Sequence, residues 1–126
     1  MSGFLELEIY QLAERLANAV CNAVSSWENF HKYSLGQQMV RSADSIGANI
    51  AEGYGRHSLA DQARFVVIAR GSLYETMHWY RLGCDRQLWE GEEQRALQEM
   101  LDELAPRLNA YLRSFHRRMA QAKQVR

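Results

Sequence analysis

From Leu5 onward the apolar side chains Leu5, Ile9, Leu12, Leu16, Val20, Ala23 and Trp27 recur in steps of three and four, which places them on one face of a helix. The spacing predicts a helix over residues 4–27. Residues 28–33 break the pattern, and Ser34 with Gln37 has capping-box spacing, in which side chains satisfy the amide groups that a helix start leaves without partners. A second helix is expected from there, with Leu35, Met39, Ala43, Ile46 and Ile50 inward. Gly53 and Gly55 are expected to end it, because glycine takes positive φ without steric cost. Ser58 with Asp61 repeats the start signal for a third helix, which buries Leu59, Ala63, Val66, Leu73, Met77 and Tyr80 and runs to about residue 85. Gly91, Glu92 and Glu93 open a fourth, whose acidic first turn complements the helix dipole. It carries Leu97, Leu101, Leu104, Leu108, Leu112, Phe115 and Met119 at near-heptad spacing, is expected to kink at Pro106, and gives way to a polar tail from about residue 121.

Each helix has one wide apolar stripe to bury and the connections are short. The pattern therefore predicts an all-α fold, an antiparallel up-down-up-down four-helix bundle that fills residues 1–126 as one domain. A chain of 126 residues buries a substantial core without disulfides or a structural metal. Lys and Arg number 15 and so do Asp and Glu, so no overall basic excess drives binding to nucleic acid or anionic lipid, and any such contact must come from a local patch. Cys21 and Cys84 are too few for a disulfide framework or a four-cysteine zinc site and are expected to be buried, reduced thiols. No apolar run is long enough to span a bilayer, and residues 1–10 carry no secretory pattern, so a cytoplasmic location without a membrane partner is expected.

Three surface patterns are candidates for function. On the second helix Arg41, Ser45, Asn49 and Glu52 form a polar stripe, and on the third Arg64, Ile68, Ser72 and Glu75 do the same. In an antiparallel hairpin Arg41 falls level with Glu75 and Glu52 with Arg64, with Ser45 and Asn49 facing Ser72 and Ile68. Such a seam would penalise slipped packing, while the alternative is a solvated helix face. The third helix is also apolar away from its core stripe, at Phe65, Ile68, Trp79 and Leu82, which predicts a homo-oligomer interface, and the alternative is that these side chains tuck under a neighbouring helix or the linker at residues 28–33. In the fourth helix Arg107, Arg113, Arg117, Arg118, Lys123 and Arg126 follow the last carboxylate, Glu103. Arg113, Arg117, Arg118 and Lys123 are the candidate nucleic-acid contacts, and the alternative is that they only complement the negative end of the helix dipole.

Catalytic chemistry has weaker support. Glu75 with His78 and Glu28 with His31 share the Glu-x-x-His spacing of di-iron bundles, but a di-iron site needs both motifs at one depth and two further inward carboxylates. Gly53 and Gly55 follow a helix and lack the lysine of a nucleotide loop, and His57 and His116 lack a nearby nucleophile. The residues imply no catalytic site, no cofactor and no resident metal.

The segment Arg41-Ser-Ala-Asp-Ser-Ile-Gly-Ala-Asn-Ile-Ala-Glu-Gly53, followed by Gly55 and Arg56, resembles the signature helix of the proteins encoded in intervening sequences of bacterial 23S ribosomal RNA genes. Ile68-Ala-Arg-Gly-Ser-Leu-Tyr-Glu75 is similar to a second family segment. The chain departs from the family at Gly47, where proline is common. The resemblance covers almost the whole chain and implies a four-helix bundle without established catalysis that assembles with itself as a ring of five. A related branch, the accessory variability determinant of diversity-generating retroelements, is similar in fold, is markedly basic, and works with nucleic acid and a reverse transcriptase. The expected function is a noncatalytic oligomeric scaffold associated with RNA or with a nucleic-acid-processing protein partner. The alternatives are a direct RNA- or DNA-binding module using the basic end of the fourth helix, and a metal-dependent bundle enzyme.

Overall fold

The computed structural model describes residues 3–125 and holds four long helices: α1 (Glu8–Ser25), α2 (Gln37–Tyr54), α3 (Leu59–Asp85) and α4 (Gly91–Val125). A 3-10 turn at Phe4–Glu6 precedes α1, and a short helix at Asn29–His31 leads through a π-helical turn at Lys32–Gly36 into α2. Helix α1 packs on α2 and α4, and α3 packs on the same two. Every neighbouring pair is antiparallel. Tyr10 and Ala13 lie against Gly47 while Val24 lies against Gly36, and Ser45 faces Ser72 while Phe65 lies on Gly53. Tyr80 reaches Gln94 and Arg70 reaches Asn109; Trp27 meets Trp89 and Glu8 meets Arg107. The chain is an all-α four-helix bundle with up-down-up-down connections.

The core follows the helical spacing closely. Ile9, Leu12, Leu16, Val20 and Ala23 are buried from α1, Met39, Ala43, Ile46 and Ile50 from α2, and Leu97, Leu101, Leu104, Leu108, Leu112 and Phe115 from α4. Leu5 is exposed instead of buried, because Leu7 adopts an extended conformation and breaks the chain before α1 begins. Ser34 does not cap α2: the chain is already helical from Asn29, and the Ser34 hydroxyl donates back to the Phe30 carbonyl at 2.6 Å. Ser58 does cap α3, accepting from the Asp61 amide at 3.0 Å. At the start of α4 the Glu93 carboxylate accepts from the Glu90 amide at 3.2 Å, so the acidic first turn satisfies a helix-start donor directly.

Several expectations change. Gly53 lies inside α2 and Gly55 has φ −83°, so neither glycine ends the helix by a left-handed turn. Gly53 serves a close approach instead: a Cβ there would stand 2.8 Å from the Phe65 Cβ. Helix α4 continues through Pro106 to Val125, so residues 121–125 are helical and not an irregular tail. Cys21 is exposed on the outer side of α1 and Cys84 is only partly buried. Met77 is exposed, whereas Thr76 beside it is fully buried.

The end of the bundle that holds the α3–α4 connection is closed by an aromatic plug. Trp89 packs edge-on against Trp27 with ring centroids 4.9 Å apart, and its indole nitrogen donates to the Tyr80 carbonyl at 3.2 Å. The Tyr80 hydroxyl donates to the Gln94 carbonyl at 2.9 Å. Burial pushes the Tyr80 pKa up, with smaller contributions from Cys84 and Asp102, so the phenol stays protonated as a donor.

Candidate functional site

The α2–α3 hairpin carries most of the polar groups singled out by spacing. Its centre is a hydrogen-bonded seam. The Ser45 and Ser72 hydroxyls lie 2.9 Å apart, and the Asn49 amide donates to the Ser45 hydroxyl at 2.9 Å and to the Ser45 carbonyl at 2.8 Å. One turn deeper, the buried Ser42 and Thr76 hydroxyls are 2.8 Å apart and each is also within reach of a carbonyl of its own helix, Met39 or Ser72, so one hydroxyl donates across the hairpin while the other donates to its own helix. Spacing alone does not single out Ser42 and Thr76, although Ser42, Ser45 and Asn49 share one side of a helix.

The charged ends of the seam do not form as expected. Arg41 and Glu75 are not paired: Glu75 accepts from the Trp79 indole at 3.0 Å, and Arg41 is exposed with no ion pair among the described residues. Glu52 pairs with Arg56 at 2.7 Å, and Arg64 with Asp61 at 2.9 Å. Long side chains thus find partners within their own helix, or just beyond its end, where less conformational freedom is given up than in spanning two helices.

The outer face of α3 also differs from the expectation. Of Phe65, Ile68, Trp79 and Leu82, only Ile68 is exposed, at 40%. Phe65 is half-buried over Gly53, with the Arg56 and Arg64 guanidiniums 4.7 and 4.5 Å from its ring centroid. Trp79 packs against the core and Leu82 is half-buried. The exposed apolar residues of α3 are Val67, Ile68, Tyr74 and Met77, and Val67 and Tyr74 flank the open surface of Gly71. Phe30 and Tyr33, 73% and 68% exposed, project from the α1–α2 connection.

Arg113, Arg117, Arg118 and Lys123 are exposed on the final turns of α4, and Arg126 lies outside the described residues. Arg107 is taken up by Glu8 and Glu103. No group of three His, Cys, Asp or Glu side chains that could hold a metal ion gathers among the described residues, and Glu75 and His78 lie on the exposed side of α3. No helix among those residues is long and apolar enough to cross a membrane.

The architecture is that of a helical bundle whose distinctive features lie on its surfaces. The chain belongs to the 23S rRNA-intervening sequence protein family, whose model matches residues 5–110. It is similar to a crystal structure of a protein with unknown function from the S23 ribosomal protein family of Bacteroides thetaiotaomicron, with a TM-score of 0.76 and 25% identity over 82% of this chain and 97% of that chain. No curated protein matches.

Proposed function

We propose that the protein is a noncatalytic scaffold whose copies join through the outer face of α3 into a closed homo-oligomer, with five subunits as the family resemblance implies. The exposed apolar side chains Val67, Ile68, Tyr74 and Met77 carry this reading, since apolar surface left open on a bundle whose core is already filled favours an interface. A ring needs two different patches on each protomer, because a head-to-tail contact does not use one surface twice. The protruding Phe30 and Tyr33 supply the second. The Gly71 gap offers an aromatic side chain a close approach to the α3 backbone.

Light scattering at micromolar concentration tests this. The native chain is expected to be a single oligomeric species, and Ile68→Glu with Tyr74→Glu a folded monomer, because an unpaired carboxylate is costly to bury. Phe30→Ser with Tyr33→Ser is expected to release the same monomer. A monomeric native chain overturns the reading. Trp79→Glu is a poorer probe, since Trp79 is part of the protomer's own packing.

The seam between α2 and α3 fits the same role by holding the hairpin that presents this face in a single register. A double-mutant cycle of Ser42→Ala and Thr76→Val is expected to give a coupling of about 0.5–1.5 kcal/mol, the usual contribution of one hydrogen bond. A coupling near zero would mean that the two hydroxyls are satisfied by their own helices alone.

A further inference from the structure

We propose that the final turns of α4 form a basic helical arm that binds the phosphodiester backbone of nucleic acid through Arg113, Arg117, Arg118 and Lys123. At about 1.5 Å per residue α4 is roughly 50 Å long and α1 roughly 27 Å, so α4 outruns its neighbour. Glu8, the first residue of α1, pairs with Arg107, and the groove between α1 and α4 reaches no further than Ser114. Past that point Met119, Ala122 and Lys123 line a groove with Leu59 and Ala60 of the first turn of α3.

The arm differs electrostatically from the rest of the molecule. Arg56, Arg64 and Arg107 pair with Glu52, Asp61 and Glu8, and arginines without an ion pair, such as Arg41, still share their helices with carboxylates, but no Asp or Glu follows Glu103. None of the four arm cations is in an ion pair among the described residues. Arg118 is held over the Phe115 ring at 4.2 Å and donates to the Ser114 carbonyl, so its guanidinium is placed without being neutralised. Arg113 and Arg117 lie one turn apart on the side of the helix opposite Phe115. The matched family model ends at residue 110, so this charge belongs to a part of the chain beyond the matched region.

Two features favour nucleic acid over other polyanions. Leu112 and Phe115 are buried against the bundle and Met119 is half-buried, which leaves the arm no apolar face to insert into a lipid surface. Three of the four cations are arginines, whose planar guanidinium matches phosphate oxygens in pairs. Such contacts position a backbone and carry no sequence preference by themselves.

The test titrates the full chain with a short RNA duplex and with a DNA duplex of the same sequence, from low to physiological salt. Polyglutamate and phosphatidylserine vesicles serve as the competing polyanions. Binding to the duplexes is expected at low salt, and Arg113→Gln with Arg117→Gln is expected to weaken it. On duplex DNA the salt slope should become shallower by about 0.9 for each phosphate that the variant no longer neutralises. Arg113→Lys with Arg117→Lys should restore most of that slope, which a loss of folding would not allow. The ratio of RNA to DNA affinity identifies the natural backbone. No duplex binding at low salt, unchanged curves for the glutamine variant, or equal competition by polyglutamate or vesicles would overturn the proposal. The same titration on monomeric Ile68→Glu with Tyr74→Glu separates it from the oligomer reading, since the arm's charge belongs to a single chain.

Discussion

Trp89→Ala is expected to destabilise the protomer by roughly 3–5 kcal/mol, the range for truncating a large buried aromatic. For a domain of this size that is a large share of a total of about 5–15 kcal/mol. The indole fills the end of the bundle between Trp27 and Tyr80 and lies directly on Gly83, where a Cβ would stand 2.5 Å from its nitrogen. The surrounding turn cannot easily collapse into the space. Gln87 sits at φ 58°, and the Leu88 amide donates to the Gly83 carbonyl at 2.9 Å, so the chain approaches the plug in a fixed conformation. Trp89→Phe should recover much of the packing while losing the indole donor to Tyr80. Urea unfolding at one fixed protomer concentration reads both variants, because assembly would otherwise shift the midpoints. A Trp89→Ala midpoint close to the native one would show that this end of the bundle is not closed by the indole.

Trp89 also shows where sequence reading runs out. It falls between the patterns of α3 and α4, and periodicity assigns a face only to residues within a helix. The cores of α1, α2 and α4 are legible because each helix has one apolar stripe, from Ile9 to Ala23, Met39 to Ile50 and Leu97 to Phe115. Helix α3 is not, since apolar residues occur on several of its sides. Spacing puts Phe65 and Trp79 on an outer face, yet they lean back onto the protomer, while Val67 and Tyr74 point away from it. The charged residues of the hairpin depart from expectation for a different reason. Spacing places Arg41 level with Glu75, but level is not contact when a nearby group such as Trp79 satisfies the carboxylate first. Short hydroxyls have no such latitude, and the Ser45 and Ser72 oxygens meet where the backbones bring them.

The same alanine substitution at two glycines should shift stability in opposite directions. Gly71 lies in the middle of α3 with no atom near its missing Cβ, so Gly71→Ala is expected to stabilise the helix by up to about 1 kcal/mol by reducing the backbone freedom of the unfolded chain. Gly53 lies near the end of α2, where the propensity gain is smaller, and an added methyl would meet the Phe65 Cβ at 2.8 Å and the Gln62 carbonyl at 3.3 Å. A Cβ cannot rotate away as the far end of a side chain can, so α2 and α3 would have to separate locally. Overpacking of this kind costs about 1–3 kcal/mol. Separation would also disturb Phe65, which is held between the Arg56 and Arg64 guanidiniums. Gly53→Ala is therefore expected to be destabilising, with Gly71→Ala as its matched control, both measured in the monomeric Ile68→Glu, Tyr74→Glu background because Gly71 lies on the face proposed for assembly. If both variants are stabilised alike, Gly53 is not a point of close approach and alanine there only favours the helix, as it does at Gly71. If Gly53→Ala alone is destabilised, pairing it with Phe65→Ala should leave most of the loss in place, because alanine keeps the Cβ that the new methyl meets.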